Sequence, residues 1–290
     1  MRGRLTAGTM LVALLTNLAL AGCGAELPAA VDGELTDDWA KVAQVKGYEP
    51  VVGACYGATP KDTGGRADSV VDCKPTHYAE TVHVGRFTFD HKPGPKERAA
   101  AFRDCDKQAN AYIGRPWGDG KFFLTLTVPT DPAWDGGARW YRCDVTESTT
   151  VFGESRWTTR IGTLKDGISA DALLRCGKAV QKSGRIQDIL NVPCTMAHNT
   201  EYVGTFRAGD LVAYPKSERQ WDVLHRECRK LVGTYLGSQS AAGRFGLISS
   251  PNGLRSWSEG DRSVRCLIWF GGKTTKKSAK GSKGRGLPGY

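Results

Sequence analysis

The strongest periodicity in the chain runs from about Ser217 to Gly237. Trp221, Leu224, Cys228, Leu231 and Tyr235 recur there at the three- and four-residue steps of one helix face, and Gly237 supplies the stop. A second stretch, about Pro95 to Gly114, repeats the pattern with Phe102, Cys105, Ala109 and Tyr112 inward. Ahead of each predicted helix the pattern turns extended. Ser69 to Cys73 and Glu80 to Phe89, where Val82 and Val84 alternate with polar residues, are matched by Ile189 to Cys194 and Glu201 to Phe206. After each helix, Lys121 to Val128 and Arg139 to Val145 read as a hairpin across a Pro/Asp/Gly-rich turn, mirrored by Arg244 to Ser249 and Arg262 to Phe270. The expected fold is α+β, with two units that each run strands, helix, β-hairpin.

The cysteines sharpen this doubling. Cys55, Cys73, Cys105 and Cys143 are separated by 18, 32 and 38 residues, and Cys176, Cys194, Cys228 and Cys266 by 18, 34 and 38. Between them His77 and Glu80 match His198 and Glu201, and Tyr112-Ile113-Gly114 matches Tyr235-Leu236-Gly237. Phe122-Phe123-Leu124 matches Phe245-Gly246-Leu247, and Trp134, Gly137, Arg139 and Arg142 match Trp257, Gly260, Arg262 and Arg265. We read a tandem duplication, with repeats at 49–165 and 166–271. Structural zinc sites need cysteines two to four residues apart, so these eight are expected in disulfides. Spacing alone leaves three pairings open in each unit. Joining first to second and third to fourth keeps every bridge inside one unit and is preferred; loops of this size contribute about 3 to 4 kcal/mol each. Ser148 to Ala172 shows no counterpart after Cys266 and reads as an added hairpin, with Phe152 and Trp157 to Ile161 as its strands.

An uncharged, mostly apolar stretch from Leu5 to Ala21 follows Arg2 and Arg4 and leads into Leu20-Ala21-Gly22-Cys23. This reads as a lipoprotein signal peptide over 1–22 with Cys23 as the lipidated residue; an uncleaved anchor of about 18 residues is the competing reading. Both put the remainder outside the cytoplasm, tethered to a membrane. Residues 23–48 then form a membrane-proximal spacer, with a short helix around Asp37 to Ala43. Without Arg2 and Arg4 the formal charge of +10 falls to about +8. Six of those charges, Lys273, Lys276, Lys277, Lys280, Lys283 and Arg285, lie in the last twenty residues. Residues 272–290 lack apolar periodicity and read as a flexible basic tail, suited to anionic envelope polymers or lipid head groups. Export removes nucleic acid as a partner, although a basic tail by itself would suggest it.

Chemistry concentrates in a repeated Cys-x-x-x-His-x-x-Glu, at Cys73, His77 and Glu80 and at Cys194, His198 and Glu201. A thiol nucleophile would need a free cysteine, against the disulfide reading. A metal site would need further ligands, and His83, His91 and His225 are not duplicated. The favoured reading is structural: imidazole and carboxylate bind the backbone of the turn after the disulfide and fix the start of the next strand. Trp134 and Trp257 read first as covers over the neighbouring disulfides, with exposed aromatic strips as the competing use. There is no Gly-x-Ser-x-Gly elbow, phosphate loop or His-Glu-x-x-His. No enzymatic activity, metal or cofactor is expected.

The first cysteine, Val71-Asp72-Cys73 with His77 and Glu80, the helical cysteine, and Trp134 through Arg139 to Cys143 together resemble the septum-formation domain of actinobacterial envelope proteins. Val192-Pro193-Cys194, His198, Glu201-Tyr202-Val203, Cys228, Trp257, Arg262 and Cys266 resemble it a second time. The likeness spans about residues 50 to 270. It implies an exported or membrane-attached protein connected with division or the envelope. The functional expectation is a lipid-anchored binding module facing away from the cytoplasm, with an envelope or division protein, or an anionic wall polymer, as partner. Two other classes compete. One is a wall-directed hydrolase using His77 and Glu80 or their copies; the other is a capture lipoprotein with an apolar pocket between the repeats.

Overall fold

The computed structural model describes residues 47–58, 70–152 and 156–290; the expected leader, Cys23 and the spacer as far as residue 46 lie outside the described residues. From Gly47 onward the chain forms one compact unit built on two antiparallel sheets. The first contains β1 (Cys55–Tyr56), β2 (Val70–Val71), β3 (Ala79–Arg86), β4 (Phe122–Thr127), β5 (Trp140–Ser148) and β6 (Trp157–Thr158). Helix α1 (Pro95–Ile113) lies between β3 and β4, and the short α2 (Asp131–Asp135) between β4 and β5. The second contains β7 (Cys176–Lys182), β8 (Arg185–Val192), β9 (Thr200–Arg207), β10 (Gly246–Pro251) and β11 (Ser263–Trp269), with α3 (Glu218–Leu236) and the short α4 (Leu254–Ser258) at the matching places. The strand orders are β2-β1-β3-β5-β4, with β6 pairing β5, and β8-β7-β9-β11-β10. No helix among the described residues is long and apolar enough to cross a membrane.

Local sequence explains these elements. Pro95 opens α1, Glu97 reaches back to the Gly94 amide, and Gly114 closes the helix at φ 77°. In α3 Gln220 returns to the Ser217 amide and Gly237 closes at φ 73°. The amphipathic face of each helix is pinned to its sheet, at β5 and at β11, by Cys105–Cys143 and Cys228–Cys266. Cys55–Cys73 and Cys176–Cys194 close the strand loops ahead of β3 and β9. Trp134 and Trp257 are buried in the same apolar clusters as the helix disulfides. In both sheets the ladder slips by one residue beside the helix-pinned cysteine, leaving Val82 and Val203 unpaired.

Several expectations need correction. The turn between β4 and β5 is a short helix rather than a loop, and so is the one between β10 and β11. The strand expected from Ile189 begins at Arg185 as the second arm of a hairpin whose first arm, β7, was not expected. Ser183 (φ 52°) and Gly184 (φ 72°) make its two-residue turn, the conformation that suits the twist of a tight hairpin. In the expected hairpin after Ser148, Trp157–Thr158 pairs with β5, but Phe152 packs instead among apolar residues of the second sheet.

The largest correction concerns residues 272–290. They are not a flexible tail but a strap folded onto the second sheet. Thr275 exchanges backbone hydrogen bonds with His198 at 2.9 Å each way, and Ala279 and Leu287 are buried in the apolar core beside α3. Nor does the segment after Ser148 lack a counterpart. Arg160 makes the same exchange with His77, and Leu164 and Ala172 enter the first core. The tail's charges misled because its inward positions are few and small, while its six basic side chains are all exposed.

The halves meet through the buried Arg265 of β11. Its guanidinium bonds Asn252 Oδ1 at 2.6 Å and the carbonyls of Phe122, Gly118 and Gly120 in the first half. Tyr202 donates to Asp119 at 2.9 Å. Gly118 sits so close to Thr205 that a Cβ there would lie 2.7 Å from its Oγ1.

Candidate functional site

Each half brings its repeated histidine and glutamate to one buried junction. Glu80 opens β3 and Glu201 lies on β9, both at 0% exposure. A carboxylate that far from water needs protein donors for all its lone pairs. Glu80 Oε1 accepts from the Tyr112 and Thr163 hydroxyls, each at 2.5 Å, and Oε2 from the Leu164 amide at 2.8 Å and from Arg160. Glu201 Oε1 accepts from the Ala279 amide at 2.7 Å and meets His198 Nε2 at 3.0 Å. Its Oε2 accepts from Tyr235 at 3.0 Å, Ser278 at 3.1 Å and again from the Ala279 amide. One carboxylate thus binds the helix, through its tyrosine, to the strap that follows the last strand.

The histidines tie in the remaining piece. His77 Nδ1 lies 3.1 Å from the Pro75 carbonyl and His198 Nδ1 2.8 Å from that of Met196, each within the turn that follows a disulfide. This matches the expected role for the imidazole. The carboxylate, by contrast, bonds not that turn but a segment some eighty residues away. Sequence reasoning missed Arg160, Thr163, Ser278 and the two amides; only the repeated Tyr112 and Tyr235 carried a visible signal.

Electrostatics set the two junctions apart. Arg160 fills the first, and burial pushes its guanidinium down to about 10, so it remains a cation at neutral pH. His77 is held below the ordinary imidazole range, first by burial and also by Arg160, although its Pro75 hydrogen bond opposes the shift; its Nε2 has no partner among the described residues. In the second junction Thr275 stands at the position of Arg160, and His198 takes the carboxylate itself. Burial and the Glu201 charge push Tyr235 up to about 12, which keeps its hydroxyl a donor.

The donor set also gathers metal-ligand types, with Cys55, His77 and Glu80 within 4.8 Å of one another and Cys176, His198 and Glu201 likewise. These residues do not fit a metal as they stand. Cys55 and Cys176 are in disulfides and carry no thiolate, and both oxygens of each carboxylate already accept protein hydrogen bonds. The same closure separates the junctions from proton-transfer chemistry on a polymer, since His77, Glu80, His198 and Glu201 are all fully buried. Of the other motif residues, Arg139 lies 4.3 Å over the Trp134 ring and Arg262 4.8 Å over that of Trp257. The indole nitrogens bond the Asp90 and Val212 carbonyls, so these pairs brace loops onto the core.

The sequence pattern that describes septum formation matches residues 52–266, about three quarters of the chain. No curated protein and no solved structure matches it.

Proposed function

Since the chain belongs to the septum-formation family, we propose that it serves septum formation as a lipid-anchored binding module on the outer side of the membrane, held there through Cys23. We also read its halves as two copies of one unit, supported by the shared strand order and the matched disulfides. Four disulfides suit an oxidising compartment. The motif residues are spent on building each unit, which leaves recognition to the outside. The observation that carries the binding reading is the strap: Lys273, Lys276, Lys277, Lys280, Lys283 and Arg285 all point to solvent from a segment whose backbone is fixed. Charges on an ordered backbone lose less freedom on meeting an anionic surface than charges on a loose tail. An anionic wall polymer or an acidic face of a division protein is therefore the partner class.

The test is cross-linking outside the membrane in intact cells, followed by capture of the full chain. We compare wild type, Cys23→Ser and a variant with the six basic residues changed to Ser. A division or wall partner recovered with wild type and lost in both variants is expected. Recovery unchanged in both removes the anchored binding reading. Turnover of isolated wall material by the purified chain replaces it with an enzymatic one.

A further inference from the structure

On one side of the molecule α1 and β4 of the first half meet the second. Gly260 comes so close there that an added Cβ would lie 2.8 Å from Ala99 Cα and 3.1 Å from Phe102 Cβ. Counted from the helix cysteines, Ala99 and Phe102 correspond to Asp222 and His225 of α3. On the strand beside them, Leu126 pairs with Cys143 as Ser249 pairs with Cys266. Two buried apolar residues of the first half, Phe102 and Leu126, are thus replaced in the second by an imidazole and a hydroxyl.

At that place a groove of about 590 Å³ opens across the edge strand β10, between α3 and the β7–β8 turn. Its size is that of a small-ligand site. Ser249 Oγ lies 2.8 Å from His225 Nδ1 on its floor. The rings of Trp221 and His225, both lining the groove, stack with centroids 6.0 Å apart and planes at 24°. Trp269 adds a second indole, and its buried Nε1 has no protein partner among the described residues. Asp222 and Glu218 supply acceptors at the rim and Arg185 donors. Flat apolar faces combined with donors and acceptors suit a neutral ring that is apolar on its faces and hydroxylated at its edge.

We propose that this groove binds a sugar residue of a neutral envelope glycan. Two other occupants fit less well. A phosphate-bearing ligand would meet the carboxylates of Glu218 and Asp222. The Gly137 turn of a second copy, the counterpart of Gly260, would strip water from Asp222 and His225 where Gly260 packs on Ala99 and Phe102. The proposal rests on the binding reading above only for bringing glycan within reach. Capture from cells tests that reading, and purified protein tests the groove, so each can fail alone.

The experiment applies the purified, disulfide-intact chain to a printed array of neutral and anionic oligosaccharides, alongside Trp221→Ala, Asp222→Ala and Ser249→Ala, each checked for native circular dichroism. The expected result is binding to at least one neutral oligosaccharide, weakened tenfold or more by Trp221→Ala and several-fold by Ser249→Ala. Should Trp221→Ala fail to fold, loss in the exposed Asp222→Ala decides. Absence of any neutral binder overturns the proposal, as does binding to anionic oligosaccharides alone. Neutral binding untouched by the variants overturns it too, and so does self-association of the chain that Trp221→Ala abolishes.

Discussion

The junctions at Glu80 and Glu201 solve one problem with different electrostatics. Both bury a carboxylate, and both use it to hold a helix tyrosine and a distant strap. In the first an arginine shares the burial, and His77 Nε2 has no partner among the described residues; in the second the imidazole serves as the partner and the strap contributes only neutral groups. The lesson is that a junction can keep its geometry while the group facing its carboxylate changes from an arginine on the strap to an imidazole on the turn. Because an isolated buried charge costs far more than a missing neutral hydrogen bond, the two should respond unequally to the same change.

The comparison can be broken in graded steps. Removing residues 273–290 strips Glu201 of Ser278 and Ala279 and uncovers the core around Leu287. We expect a loss of roughly 5 kcal/mol or more in denaturant unfolding, or no folded protein; stability close to that of the full chain would refute the strap's structural role. Glu80→Gln leaves Arg160 charged and buried, at a cost of about 3 to 5 kcal/mol. Glu201→Gln should cost less, about 1 to 3 kcal/mol, and equal losses in urea melts would show that the two junctions do not differ as described.

The pH response sharpens the contrast. His77 is depressed in the folded chain, so the unfolded chain binds the extra proton first as pH falls. Its contribution to stability is complete above about pH 6.5 and is lost as the pH drops toward the folded value, at no more than about 1.4 kcal/mol per pH unit. His225, also depressed, adds to the same slope. His77→Gln should therefore flatten the fall in melting temperature between pH 7 and 5, and an unchanged slope would contradict the assignment. The smallest effect belongs to Lys280→Ala with Lys283→Ala, whose side chains are exposed: within about 0.5 kcal/mol.

Much of this fold was legible because it repeats. The two helices and the disulfide pairing preferred from spacing agree with the structure, and Trp134 and Trp257 are buried, but Trp221, Leu231 and Tyr235 of the expected inward face are only half-buried. The straps were not legible. Their inward residues Leu164, Ala172, Ala279 and Leu287 have no helical or strand period, and each strap is fixed by one of its amides, Leu164 or Ala279, bonding a carboxylate far away in sequence. Strand β7 escaped because Lys178 and the residues from Gln181 onward are exposed, so no apolar alternation marks it. His225 and Ser249 gave no signal because neither is duplicated; the count from the helix cysteine and the register of β10 on β11 show which apolar positions they replace.

The separation between each glutamate and its strap also sets a schedule. The Glu80 carboxylate gains its last amide donor 84 residues later and Glu201 its own 78 residues later. A chain that emerges from its N-terminus presents each carboxylate well before that donor. Neither sheet can close its charged centre as it emerges. Each half must remain open until its far end arrives, a window in which its cysteines are accessible to oxidation and its tyrosine-bearing helix is still free to move.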